Sequence, residues 1–283
     1  MSYYSAIQPI DHPIAAQRQK AKRHYGVHPY FTRRPFNVIR DYILRFSRER
    51  DCVVDPFGGS GVTAIEAFLE NRRGIHNDIN PLANFIAEGI ARLSEGKISS
   101  YGEALDGLKA VCEPKIAEIE QSDPPRLERV LRSLSLPDNV RLPANSDVEH
   151  YLDLFTPRQL AALALLKTRI EEIPDRFSRN GMLLAWSATL AKLNRTFLSA
   201  EGRAASRGGS SIFSIYRHKI AKEPVELPAW PTFEERARNV IAAKREMDNA
   251  IKFRSATGGW CGSFEARAQD VEDLSEQLKG EVD

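Results

Sequence analysis

Apolar and polar positions alternate along this chain in two periods, and the change of period marks its elements. Cys52-Val53-Val54 is short, apolar and β-branched, set between polar Arg50-Asp51 and Asp55. That is the pattern of a strand buried on both faces. From Thr63 to Glu70 the apolar residues Ile65, Phe68 and Leu69 recur at helical spacing. Ahead of the strand, Val38, Ile39, Tyr42, Ile43, Leu44 and Phe46 form the inner side of an amphipathic helix. Residues 73–78 read as a second strand that ends in the polar, proline-marked turn Asp78-Ile79-Asn80-Pro81. Residues 82–120 are helical, with Leu82, Phe85, Ile86, Ile90 and Leu93, then Tyr101 to Ile119 after a Ser-Glu-Gly-Lys break. Residues 127–200 continue helical. Thr156 caps a helix with Pro157 in its first turn, and Asn180 to Leu198 forms another with Trp186 in the core. A further helix spans 232–254, its side of Arg236, Arg238, Lys244, Arg245, Lys252 and Arg254 read as solvated. A brief alternation at 263–268 gives the third strand.

The expected fold class is therefore α/β: a Rossmann-like sheet, incomplete as far as these strands go, with a large helical insertion. Its parts are a basic arm at 1–27, an α/β core at 28–95, the insertion at 96–258 and a return to the core at 259–283. Within the arm, Gln17 to His24 is a basic run, either a solvated tail or a phosphate-contacting one.

Between the first strand and its helix lies Asp55-Pro56-Phe57-Gly58-Gly59-Ser60-Gly61. Glycines at such a turn let the backbone bend sharply and lie close to a ligand, and the unpaired amides of the next helix face whatever sits there. A turn of this kind says only that something polar binds. The P-loop form is excluded because no Gly-Lys-Ser/Thr ends it, and the G-x-G-x-x-G spacing is absent. About twenty residues beyond the glycines, at the end of the second strand, a carboxylate can accept from both hydroxyls of a ribose. Asp78 stands there; the alternative is that it caps the helix starting near Pro81.

Composition narrows the setting. The chain has 283 residues, 42% hydrophobic and 28% charged, with a net charge of only +2. Affinity for nucleic acid must then come from a local basic face. No apolar run is long enough to span a bilayer, and the start carries no apolar signal segment. Cys52, Cys112 and Cys261 are widely spaced without a C-x-x-C, which argues against a disulfide framework and a zinc site and suits a reducing cytoplasm.

The Asp55–Gly61 pattern resembles the S-adenosylmethionine motif of the DNA amino-methyltransferases, which methylate adenine N6 or cytosine N4. His28-Pro29-Tyr30-Phe31-Thr32-Arg33-Arg34-Pro35 resembles the N-terminal motif of that family, which closes over the methionine part of the cofactor. The resemblance implies a cofactor site of Tyr30, Phe31, Thr32, Asp55, Pro56, Phe57, Gly58, Gly59, Ser60, Gly61, Asp78 and Ile79, with Asn80 and Pro81 flanking the adenine. Arg33 and Arg34 meet either the cofactor carboxylate or DNA phosphate. Residues 262–274 resemble the next family motif, which makes Asp270 the residue that meets the adenine; otherwise Asp270 caps the following helix. Arg203 and Arg207, in a glycine-serine loop, are candidate DNA contacts, the alternative being an ordinary loop.

The catalytic motif of the family, [DNS]-P-P-[YFW], has no counterpart. Asp123-Pro124-Pro125-Arg126 carries arginine in place of the aromatic residue, follows polar residues rather than a strand, and reads as a stop between helices. At the end, Gly280-Glu281-Val282-Asp283 resembles the opening of the fourth strand, after which D-P-P-Y follows in relatives. The expected activity is thus a DNA methyltransferase without a metal. This chain supplies the methyl-donor side and no catalytic residue, is inactive alone, and has DNA and a complementing catalytic segment or subunit as partners. The alternatives are a non-catalytic cofactor- or DNA-binding subunit of a modification or defence complex, and an RNA or protein methyltransferase on the same fold.

Overall fold

The computed structural model describes residues 8–18, 23–30, 33–196, 218–220 and 226–280. They fall into two compact units. The first draws on the described residues among 1–26, 32–94 and 243–283, the second on those among 27–31 and 95–242.

The first unit is built on a parallel sheet of β1 (Cys52–Asp55), β2 (Arg73–Asn77) and β3 (Ser263–Arg267), in the order β1-β2-β3. The three strands expected from the sequence are those observed, and the chain is mixed α/β as the pattern implied. Helix α1 (Phe36–Phe46) packs on α2 (Val62–Leu69), and α2 lies along the sheet. The approach of α2 to β2 is close: a Cβ on Gly74 would stand 2.1 Å from the Ala64 carbonyl oxygen. Helix α3 (Pro81–Ala91) packs against β2 and β3. Against Ile75 on β2 pack Leu274 and Leu278, the latter just past α9 (Val271–Gln277), with Cys52 and Val54 of β1 beside them.

The chain leaves this unit after α3 and re-enters it at residue 243, and its approach to β3 is fixed by polar contacts at the α2–β2 turn. Asn71 adopts a left-handed φ of 68°, which Asn tolerates better than most residues. Its Oδ1 accepts the Cys261 N–H at 2.6 Å and its Nδ2 donates to Glu49 at 3.0 Å. The Trp260 indole donates to the Phe68 carbonyl at 3.0 Å. A buried Lys244, on helix α8 (Ala229–Gly258), donates to the carbonyls of Gly89, Ile90 and Arg92 at the end of α3. Those carbonyls have no partner within their own helix, so the lysine closes its C-terminus. The expectation that this side of the helix is solvated holds for Arg238, Arg245 and Lys252, which are exposed, and is corrected for Lys244, which is 5% exposed, and for Arg254, which bridges Glu70 at 2.7 Å.

The second unit is helical. Helix α4 (Ile98–Glu120) presents Tyr101, Leu105, Leu108, Cys112 and Ile116 to α6 (Pro157–Glu171) and α7 (Arg176–Thr189), and α5 (Pro124–Arg132) packs on α6. Thr156 forms a capping box with Gln159, and Asp123 caps α5 by accepting the Arg126 N–H at 2.8 Å. The Asp-Pro-Pro-Arg segment is thus a helix start. Helix α7 ends at Thr189, short of the expected Leu198, and residues 197–198 lie outside the described part. The reason is local: the Asn194 side chain bonds the Leu190 carbonyl at 2.6 Å and the Thr196 N–H at 2.9 Å, competing with helical pairing. Among the described residues no helix is long and apolar enough to cross a membrane.

Candidate functional site

Because the strands are parallel, their carboxyl ends share one edge of the sheet. There the chain places the glycine turn after β1, Asp78 after β2 and residues 268–270 after β3. This edge is where α/β sheets of this kind hold ligands.

The turn itself is tied internally. Asp55 Oδ1 accepts the Phe57 N–H at 3.1 Å, and the Gly61 N–H bonds the Gly58 carbonyl at 2.8 Å. Gly59 and Gly61 have φ of 54° and 83°, left-handed values that a Cβ would strain. Gly58 has a different reason to be glycine. Its N–H bonds the Asn77 carbonyl at 2.8 Å, and a Cβ there would stand 2.0 Å from His76 Nδ1.

Asp78 joins the turn directly. One carboxylate oxygen accepts the Gly59 N–H and the other the Asn80 N–H, each at 2.8 Å. Every carboxylate oxygen has two acceptor positions, so each retains one for a further hydroxyl. The alternative reading of Asp78 as a helix cap is not what is found, for Asn80 caps α3 by accepting the Leu82 N–H. Beside this carboxylate two large apolar side chains stand in solvent, Phe57 at 76% exposure and Ile79 at 80%. Exposed apolar groups flanking a polar anchor are what an aromatic ring system with hydroxyls on one end would use.

Arg33 donates from Nε to the buried Ser60 hydroxyl at 2.8 Å and from Nη1 to the Tyr25 carbonyl. Its guanidinium therefore supports the glycine turn, whereas Arg34 is exposed. Tyr25 in turn donates to buried Glu66 of α2 at 2.8 Å. Burial first, and the Glu66 carboxylate second, push its phenol well above the ordinary tyrosine range. Asp270 is exposed and accepts the Glu272 N–H at 2.9 Å, which makes it the cap of α9. Tyr30 is half-buried in the second unit, where His28 bonds Ser187 at 3.0 Å. Phe31, Thr32, Arg203 and Arg207 lie outside the described residues.

Two residues that the sequence reading passed over hold this edge together. His76, fully buried, has Nε2 2.9 Å from Asn84 Oδ1, and Asn84 donates to the Asp78 carbonyl at 2.8 Å. With Nε2–H donating to the amide oxygen, Nδ1 faces Gly58 and has no hydrogen-bond partner. Burial pulls the His76 pKa below its ordinary value, against the opposing pull of the Asn84 bond and of Asp78, Asp55 and Glu88. Asn77 donates to the Pro56 and Gln269 carbonyls at 3.2 and 3.0 Å and accepts the Gln269 N–H at 3.0 Å. A signal was present: a histidine and an asparagine at the inner end of a central strand must find partners there.

Parallel order, a glycine turn at the carboxyl edge and a carboxylate closing the second strand together define a Rossmann-like α/β chain. The family model described as DNA methylase matches residues 11–88 of this chain. The chain is 28% identical over 75 residues to the type II methyltransferase M.MjaII of Methanocaldococcus jannaschii, covering 26% of this chain and 14% of that protein. It is 48% identical over 46 residues to the orphan methyltransferase M.BamHII of Bacillus amyloliquefaciens, 16% of this chain and 17% of that one. The matched stretches thus span less than a fifth of those relatives. No solved structure matches significantly.

Proposed function

We propose that this chain provides the S-adenosylmethionine-binding part of a DNA methyltransferase acting on an exocyclic amino group, adenine N6 or cytosine N4. The observation that carries the reading is the bond between Asp78 and Gly59, which joins the strand-end carboxylate to the glycine turn at 2.8 Å inside the matched segment. The residues fit the cofactor. Asp78 would accept from the ribose hydroxyls, Phe57 and Ile79 would cover the purine, and the backbone of Gly58–Gly61 would lie against the methionine end. When bound, the cofactor supplies an electrophilic methyl group on a sulfonium. The chain's own contribution is to hold and orient it, with Arg33 keeping Ser60 in place and the Asn77 and His76 contacts keeping the two strand ends together.

The family's amino-group acceptor, D-P-P-Y, is taken to lie on another polypeptide segment, and the protein is taken to work on DNA in the cytoplasm. Arg34, Arg203 and Arg207 are the proposed phosphate contacts. The test is transfer of a labelled methyl group to DNA by the chain alone and in the presence of a polypeptide carrying D-P-P-Y from the same source. Transfer only in the mixture supports the proposal. Cofactor binding with no transfer in either case favours a non-catalytic subunit, a reading prompted by Asp123 of the Asp-Pro-Pro-Arg segment serving as a helix cap. Transfer to RNA and not to DNA overturns the substrate.

A further inference from the structure

We propose that Asn77 is a positioning residue for the cofactor, a clip that sets the distance between the two loops that would enclose its nucleoside half. The proposal rests on the cofactor reading given above. Asn77 is 1% exposed, and its side chain makes three hydrogen bonds, all to backbone. One amide hydrogen goes to the Pro56 carbonyl, in the turn after β1, and the other to the Gln269 carbonyl, in the loop after β3. Its oxygen takes the Gln269 N–H. The two loops come from strands that do not pair with each other, since β2 lies between them.

Only a short primary amide can do this. Two donors and an acceptor must lie in one plane at the end of a single methylene. Aspartate has the same shape but no donors, and its charge would face two carbonyl oxygens. Protonated, it regains one donor. Phe57, directly after Pro56, and Asp270, directly after Gln269, stand on the two loops so joined, and Asp78 follows the clip itself. Loosening it would therefore move all three against one another without removing a group that would touch the ligand.

The test compares full-length wild type, Asn77→Ala and Asn77→Asp by calorimetric titration with S-adenosylmethionine at about pH 5.5 and about pH 8. Each variant is referred to the wild type at the same pH. Asn77→Asp is expected to bind at least about tenfold more weakly at the higher pH and to recover several-fold at the lower, as its carboxyl takes up a proton. Asn77→Ala is expected to be weak at both. A purely structural role would give both variants the same loss at both pH values, and that result overturns the proposal, as does wild-type affinity in Asn77→Asp. Should the variants fail to fold, hydrogen exchange on the wild type decides: the Gln269 amide is protected if the clip exists, and exchange at the rate of an open loop overturns it. A folded wild type that takes no S-adenosylmethionine removes the cofactor reading itself, and the positioning role falls with it. Binding by the wild type with indifferent variants removes the clip alone.

Discussion

Gly58 in the glycine turn and His76 beneath it govern whether the turn can form. Gly58 sits on the ring of His76, so Gly58→Ala drives a Cβ into a side chain that is itself fully buried. Overpacking of this kind costs about 1–3 kcal/mol, and thermal melting should show it as a clear fall in Tm. Gly107→Ala is the control. It lies within α4 with nothing inside 4 Å of the new Cβ, and should instead gain about 0.5–1 kcal/mol from helix propensity. His76 adds a dependence on pH. Burial lowers its pKa in the folded chain below the 6.5 of a free histidine, so the unfolded chain binds the proton more readily. Its contribution to stability is fully present above that value and is lost as the pH falls below it. Melting temperature measured from about pH 8 down to about pH 5 should drop more steeply for the wild type than for His76→Gln; parallel curves would mean that His76 takes up its proton equally readily in the folded and unfolded chain.

At the level of elements, the ends of α3 and the return to β3 depend on α8. Replacing Lys244 by methionine keeps the length and removes the donors, leaving the carbonyls of Gly89, Ile90 and Arg92 without their partner. Unpaired buried acceptors cost about 1–3 kcal/mol each, so Lys244→Met should lower the Tm by several degrees; an unchanged Tm would mean that water replaces the amine without loss. The strands and most helices were legible beforehand. Strand burial, the Pro-marked helix starts and the glycine turn are all local patterns, and Thr156 caps its helix as expected, whereas the caps at Asp123 and Asn80 appear only in the structure. What could not be read was long-range partnership. Lys244 looks like one of a row of surface cations, because nothing in its own helix shows that it meets carbonyls some 150 residues earlier in the chain. Arg33 looked free to reach a ligand or phosphate until Ser60 was placed beside it. Asn77 was overshadowed by its neighbour Asp78, although it makes three of the bonds that hold this edge.

For the molecule as a whole, most of the matched segment and the strand-end edge with Asp78 belong to the first unit, residues 27–31 of that segment falling in the second, which is a helical assembly with its own core. Among the described residues β1 pairs on one side only, with β2, and all four of its residues are half-buried. An open, apolar strand edge is a place where another strand can add, which fits a catalytic segment supplied from elsewhere. That partnership has meaning only if the first unit holds the methyl donor. The measurement that decides it is a calorimetric titration of the full chain with S-adenosylmethionine, run beside Asp78→Ala. The account predicts saturable binding by the wild type and at least about a tenfold loss in the variant, the price of two ribose hydroxyl bonds to a carboxylate. No binding by a folded wild type, or equal binding by the variant, would contradict it.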